Sequence, residues 1–405
     1  MSSSRTMPFS PKTCIRALVV VAAGAAAWSG AAGATTAEET PAAAAPTATP
    51  WTFRLRAEGE LRHDDNVLSL SDREIDRFEN DPAYAQSDRF KIESVDDFIF
   101  APDLGFTFNR SPRQGRETSF GAALRAYEYF NDSVKSYQSY GVWLRQELNR
   151  SRAHGTVLSA GFDRTPSYYL RELIDDDESV AAGTTIRNSL DYDLNQGYLE
   201  LAQEIAPRTF DATLRYVLER RNYNDHFNER DSNSTIWAVH FDIFPMQHNL
   251  FRVRPYYASE KRTSAGDIPS SPVIDDDVAF EGTLYGLELR WLWGPDSDHR
   301  RTITIWYENE TRDFTTGTVT DVGHYGREDD ITQYWAGYEQ ELGREWLLRF
   351  AYRHRNNDSS TPDPLGGTTT TAFTKNVVYA SLVYRFNSPG KPAPRPRQPR
   401  ERDER

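Results

Sequence analysis

The stretch Asn376-Val-Val-Tyr-Ala-Ser-Leu-Val-Tyr-Arg-Phe386, near the end of the chain, decides the fold. One set of alternate positions in it is apolar throughout: Val378, Ala380, Leu382, Tyr384 and Phe386. The other set is mixed and includes Ser381 and Arg385. Because successive side chains of a strand point to opposite faces, this alternation predicts a β-strand with one apolar face.

The same alternation recurs from residue 51 onward and is cleanest in Thr52–Arg62, where five apolar or small residues alternate with six polar or charged ones. Fourteen segments reach about the 9–11 residues that a tilted strand needs to cross a bilayer. Shifted boundaries would also allow 12 to 16 strands. The segments lie near 52–62, 97–110, 118–130, 137–149, 156–164, 194–205, 209–221, 235–244, 250–260, 282–293, 301–312, 332–342, 345–355 and 376–386.

The N-terminus has the features of an export signal. Residues 1–34 contain basic residues, an apolar run from Ala17 to Trp28 and the cleavage signal Ala32-Gly33-Ala34, which together predict a signal peptide. The only cysteine, Cys14, precedes the apolar run, so no thiol is expected in the mature chain. In an exported chain, the natural solvent for repeated apolar strand faces is lipid. A soluble β-sandwich is the competing interpretation.

Composition and charge indicate how the chain is divided into segments and which partners it is expected to have. Removing the signal peptide, with three basic and no acidic residues, lowers the formal net charge from −13 to −16, which argues against nucleic acid as a partner. The Pro/Ala/Thr-rich residues 35–50 and the Pro/Arg-rich residues 387–405 predict a disordered linker and a disordered tail. Residues 51–386 are predicted to form one folded unit.

The spacing of the segments predicts how they connect. Short connections follow the even-numbered segments, whereas long ones follow most odd-numbered segments and include 63–96 and 165–193. A bilayer offers no water to unpaired backbone groups, so the sheet must close. The sequence therefore predicts an all-β, transmembrane, antiparallel up-and-down barrel of about fourteen strands, with a bulge or a shifted boundary at Pro102 and Pro255.

This pattern resembles that of Gram-negative outer-membrane β-barrel proteins. The resemblance implies a location in the bacterial outer membrane, contact with its lipid and lipopolysaccharide, and an assembly signal at Tyr384 and Phe386 that the barrel-assembly machinery reads. The chain departs from the family in continuing beyond Phe386. His63-Asp64-Asp65-Asn66-Val67 is similar to a pattern in barrels of polysaccharide-export or surface-protein secretion clusters, although an Asp/Asn turn at the barrel mouth would also explain it.

If the apolar faces meet lipid, the opposite positions line the lumen. Many of these positions hold charged residues, which favours a passive, porin-like channel for small hydrophilic solutes. A network of paired charges that fills the barrel is the structural alternative. Export of polysaccharide or surface proteins is the alternative function. The predicted lining residues are Arg54, Arg56, Glu58, Glu60, Arg125, Arg145, Arg215, Glu219, Arg252, Arg254, Glu288, Arg290, Arg349 and Arg353.

Two further features suggest chemistry. Acidic runs at 175–178, 275–277 and 328–330 fall in predicted outer loops, where they could bind divalent cations or serve as solvated loops. His240 and Asp242 lie two residues apart on one strand face. They could serve an outer-membrane hydrolase or line the lumen without a catalytic role. The sequence predicts no enzyme, no cofactor and no dedicated metal site.

Overall fold

A computed structural model describes residues 51–387 except 88, 114–115, 151–154, 175–178, 180–181, 247–249, 265–276, 295–298, 318–320, 322 and 361–371. The predicted signal peptide and linker, and the predicted tail from residue 388 onward, lie outside the described residues. No helix in the described ranges is long and apolar enough to span a membrane.

The described residues form fourteen strands in one closed antiparallel barrel, so the predicted fold class and strand number are confirmed. Each strand pairs with its neighbours in sequence, and β1 pairs with β14. The strands are β1 Thr52–Asp64, β2 Asp97–Arg113, β3 Arg116–Tyr129, β4 Tyr137–Arg150, β5 Gly155–Ile174, β6 Arg187–Ala206, β7 Phe210–Tyr223, β8 Ser232–Ile243, β9 Phe251–Ser264, β10 Phe280–Trp293, β11 Arg301–Phe314, β12 Glu328–Leu342, β13 Trp346–Ser360 and β14 Phe373–Asn387.

Alternation gives the barrel two different faces. Large apolar side chains on one face are strongly exposed, among them Trp291 at 58%, Leu199 at 56% and Val142 at 55%. The opposite positions include the fully buried Val383 and Leu347. In a closed barrel the exposed face is the outer one, and we call the opposite face the inner face. The outer face has the apolar character that lipid requires.

The connection between β1 and β2 contains two α-helices, α1 (Asp72–Asn80) and α2 (Pro82–Ala85). At the start of α1, Ser71 and Glu74 form a capping box, in which each side chain bonds the other residue's backbone N–H. The Asp81 side chain caps α2, and Pro82 occupies its first turn. The sequence interpretation had treated this segment only as a long loop.

The hairpin of β5 and β6 extends much further than predicted. Residues 165–193 were expected to form a loop, but β5 continues to Ile174 and β6 begins at Arg187. Two register shifts, at Thr165/Tyr168 and Tyr169/Arg171, interrupt the pairing and hide the extension from a strict period of two. The acidic run 328–330, also predicted to lie in a loop, forms the first three residues of β12.

The bulge or shifted boundary predicted at the two prolines is wrong. Pro102 pairs with Gly59, and Pro255 pairs with Leu287, each within an unbroken ladder. On the other side of each strand the ladder misses two rungs at the proline and then resumes in the same register. The lost N–H donor therefore costs local pairing without displacing the strand.

On the inner wall, aromatic rings lie flat over glycines of the paired strand. Tyr256 covers its partner Gly286, and Tyr198 covers Gly161, so that a Cβ on either glycine would overlap the ring. Such pairs fill the wall without projecting into the interior.

Replacing Gly286 with valine should therefore displace Tyr256 and destabilise the barrel by about 1–3 kcal/mol through overpacking. The measurement is the temperature at which the folded band disappears on an unheated denaturing gel. Gly317→Val is the matched control, because nothing lies within 4 Å of a Cβ built there. Equal unfolding temperatures for the two variants would contradict this packing role.

Candidate functional site

All of the predicted lining residues lie at inner-face positions of their strands, given the outward direction of the exposed apolar side chains. The structure gathers most of them into two clusters on different sides of the barrel. The β9 cluster lies near the strand ends that the short connections join, whereas the β1 cluster extends from those ends to Arg125, which is nearer the opposite end of β3. Whether solutes pass along them stays a prediction.

The first group, the β1 cluster, spans β12 to β3 and consists of Arg56, Glu58, Asp103, Arg125, Arg349 and Glu339. Arg349 contacts Glu58 at 3.2 Å across the intervening β14 and Glu339 at 2.8 Å. Arg125 contacts Asp103 at 2.6 Å, and Arg56 bridges Asp103 and Glu58. Ser381 also donates to Glu58 at 2.7 Å. Each carboxylate is thus held by more than one donor, except Glu339.

The second group, the β9 cluster, consists of Asp242, Arg252, Arg254 and Glu288. Arg254 donates to both oxygens of Asp242, at 2.7 and 3.1 Å, and its Nη1 lies 3.6 Å from Glu288. Arg252 contacts Glu288 closely and lies 3.5 Å from Asp242. Two arginines on one strand are therefore balanced by carboxylates on the two neighbouring strands.

The β9 cluster also decides what His240 and Asp242 can do. Their nearest side-chain atoms are 3.9 Å apart, beyond hydrogen-bonding distance, and Asp242 is already occupied by arginine. A general base needs a positioned partner within hydrogen-bond reach. The geometry therefore favours a lining role for this pair.

Other predicted residues join neither cluster. Arg145 lies 3.6 Å from Glu147, Arg62 contacts Glu60, and the Arg215 guanidinium lies 4.3 Å from the Tyr198 ring centroid. Glu219 lies in the half of the barrel nearer the long connections, 2.8 Å from Arg221 and 3.6 Å from Arg262. Arg54 and Arg290 have no ion-pair partner among the described residues. Sequence reasoning missed Arg262 because β9 extends past its predicted end.

A row of inner-face tyrosines was also missed. We call Tyr127, Tyr137, Tyr168, Tyr192 and Tyr223 the tyrosine ribbon, because they lie on five consecutive strands with neighbouring ring centroids 4.4, 4.8, 5.4 and 5.1 Å apart. Arg62 lies over Tyr127 at 4.9 Å and Arg221 over Tyr192 at 5.4 Å. Three of the tyrosines lie in strand extensions beyond the predicted boundaries, so period-two counting could not place them.

The described residues between 65 and 96, all except residue 88, form a cap beside the strand ends that the long connections join. Val67, Leu68, Leu70, Ile92 and Val95 of the cap pack with Tyr169 of β5 into a small apolar core. The Arg171 side chain donates to the Leu68 carbonyl at 3.3 Å. This core packs the cap against β5 of the barrel.

The stretch His63–Val67 anchors the cap to the last strand. Asp65 accepts hydrogen bonds from the backbone and side chain of Asn376 at 2.7 and 2.6 Å. The buried Asn66 donates to the Thr374 and Leu70 carbonyls at 2.9 and 2.8 Å. The Asp-Asn-Val pattern thus forms the predicted Asp/Asn turn at the barrel mouth, and it ties β1 to β14.

Lys135 lies at the base of the cap, in the connection between β3 and β4. Its ammonium donates to the Tyr169 and Leu170 carbonyls at 3.1 and 3.4 Å, and the side chain is buried. Burial, followed by the nearby positive charges of Lys375 and Arg171, lowers the pKa of Lys135 to about 7, although Asp64 and Asp132 oppose the shift.

The structure describes the C-terminal aromatic residues and part of the acidic runs. Tyr384 and Phe386 lie on the outer face of β14, where Tyr384 packs against Trp346 with centroids 4.9 Å apart; their recognition by assembly machinery stays a prediction. Of the acidic runs, 175–178 and 275–276 lie outside the described residues. Asp329 pairs with Arg327 at 2.7 Å, and Asp330 accepts from Asn309 at 2.5 Å. The described residues contain no group of three metal-binding side chains.

No family model and no curated protein matches the sequence. Among solved structures, the chain is similar to an anion-selective porin from Comamonas acidovorans, with 10% identity, coverage of 84% of this chain and 100% of the porin, and a TM-score of 0.38. It is also similar to a mutant of the monoaromatic hydrocarbon channel TodX, with 10% identity, 83% and 90% coverage, and a TM-score of 0.43. A bacterial polysaccharide outer membrane secretin shows 9% identity, 82% and 97% coverage, and a TM-score of 0.37. These three proteins differ in what they transport, so the comparisons do not indicate a solute for this chain.

The lowered pKa of Lys135 predicts how cap docking depends on pH. Between pH 7 and its ordinary pKa of 10.5, the exposed lysine binds a proton that the buried one does not, so raising the pH favours the docked cap. The docking equilibrium should strengthen by about tenfold, or 1.4 kcal/mol, per pH unit in this range. Below pH 7 the dependence should disappear.

The measurement is the rate of chymotrypsin cleavage within residues 65–96 of the folded protein from pH 6 to 9. Lys135→Met keeps the length of the side chain without a titrating group, so the ratio of the two rates removes the protease's own pH dependence. A ratio that is flat from pH 7 to 9 would refute the role assigned to Lys135.

Proposed function

We propose that this chain is a passive, porin-like channel for small hydrophilic solutes in the bacterial outer membrane. The apolar outer face of the closed barrel and the predicted export signal support this location. The charged inner wall would provide the solute path, with its arginines and carboxylates replacing part of a solute's hydration.

The observation that carries the proposal is the exposure of charged side chains on the inner wall. The Arg125 side chain is 50% exposed, Arg145 42% and Arg56 39%, although all three lie inside a closed barrel. Side chains that filled the interior as a packed network would lose this exposure. The exposure of these three arginines therefore supports a water-accessible wall more than a sealed plug.

The charges also suggest how such a path would treat ions. In both clusters, arginines alternate with carboxylates around the wall, which creates fields across the path and favours polar over apolar solutes. The cap, seated on β5 and tied to β14, would restrict access from the side of the long connections.

Conductance in planar bilayers tests the proposal. Wild-type protein should form open channels in KCl, and the double substitution Arg125→Ala/Arg145→Ala should shift the reversal potential in a salt gradient towards cation preference. The shift follows because two exposed inner-wall cations are removed while Asp103 and Glu147 remain. Arg220→Ala is the matched control, since Arg220 lies on the outer face of β7 and should leave the selectivity unchanged.

Two results would count against the channel: silent wild-type protein that is nevertheless folded and inserted, or equal shifts in the double variant and in the Arg220 control.

A further inference from the structure

Two arginines of the inner wall lack the carboxylates that the other clustered arginines have. Arg353 and Arg355 lie two apart on β13, and the Nε atom of each is buried without a hydrogen-bond partner. Neither forms an ion pair with any described residue. We call them the arginine pair.

Arg252 and Arg254 provide a direct comparison, because they have the same spacing on β9. Asp242 and Glu288 on the flanking strands balance them. The strands that flank the arginine pair instead place Gln333 and Trp335 of β12, and Lys375 and Val377 of β14, at the paired positions. The arginine pair therefore has no carboxylate at ion-pair distance among the described residues.

The nearby charged groups are already engaged by other residues. Glu308 and Glu310 of β11 act electrostatically on Arg355, and Glu308 accepts from the Tyr256 hydroxyl at 2.8 Å. Lys375 is paired with Asp64 at 2.7 Å, and Arg312, the other cation close to Arg355, is paired with Glu310 at 2.6 Å. A buried or half-buried guanidinium without a partner is costly, and an anion can supply the missing hydrogen bonds in a two-point contact.

Aromatic rings surround the same place. The Arg353 guanidinium lies 5.9 Å from the Tyr379 ring centroid, and that of Arg355 lies 5.9 Å from Phe373. Arg62 of β1 links these rings to the tyrosine ribbon, because its guanidinium lies 5.1 Å from the Tyr379 centroid and 4.9 Å from that of Tyr127. The ribbon therefore begins at Tyr127 of β3, on the same stretch of the inner wall as the arginine pair of β13, with three strands between them.

We propose that the arginine pair and the tyrosine ribbon form an internal binding site for planar aromatic carboxylates. The carboxylate takes the hydrogen bonds that Arg353 and Arg355 leave unmade, and the ring packs against the tyrosines, where offset or edge-to-face contacts are favourable. This inference rests on the proposed channel function and names the solute class that the path would retain.

The test is calorimetric binding to the folded protein in detergent, with benzoate, acetate and benzamide as probes. Benzoate should bind at least about tenfold more tightly than acetate, which lacks the ring, and benzamide, which lacks the charge. Arg353→Gln/Arg355→Gln should lose benzoate binding by about tenfold or more. Tyr127→Leu should reduce benzoate affinity towards that of acetate and leave acetate unchanged.

Arg220→Gln on the outer face is the control and should bind benzoate as wild type does. The folded band on an unheated denaturing gel shows that each variant is folded, and KCl conductance measured in parallel keeps the two proposals separate. Equal affinities for benzoate and acetate, or unchanged benzoate binding in the double arginine variant, would overturn the site even if the channel conducts. Benzoate binding by a protein that never conducts would support the site and refute the channel.

Discussion

Everything in this structure depends on the pairing of the first strand with the last. A backbone N–H or C=O left without a partner in hydrocarbon costs several kcal/mol, so a sheet can lie in lipid only if it has no edge. The ladder from Arg54↔Asn387 to Asp64↔Val377 removes both edges together. Asp65 and Asn66 extend this tie past the end of β1, since their side chains bond residues 374 and 376.

Closure then determines where charge must go. Once one face of every strand meets lipid, the alternate positions are forced inward, and their ions must find water or one another. Near the short connections they find one another in the β9 cluster, and Arg349 pairs there with Glu339. Towards the long connections, aromatic rings share the wall with the charges, and Arg353 and Arg355 have no carboxylate. In the half of the interior nearer the long connections, aromatic rings therefore lie among ion pairs such as Glu219 with Arg221 and Lys375 with Asp64.

Period-two alternation was sufficient to predict the fold because lipid imposes it on every crossing. Where the strands leave lipid that constraint ends, which explains why the β5–β6 extension, with its two register shifts, was predicted to be a loop. The tyrosine ribbon and Arg262 were missed for the same reason. The pairing of Arg349 with Glu58 could not be predicted, since it depends on the register of β13, β14 and β1, and β1 is far from the other two in sequence. The helix signals at Ser71, Glu74 and Pro82 were present, but they belong to short helices that depend on packing.

The most direct measurement is the accessibility of spin labels on consecutive residues of β10, placed at Leu287, Glu288 and Leu289 of protein reconstituted in lipid. Outward labels at the two leucines should collide with oxygen, which concentrates in lipid, while the label at Glu288 should collide with a water-soluble nickel complex. Accessibilities that do not alternate, or leucine labels shielded from both reagents, would contradict a barrel whose apolar face meets lipid.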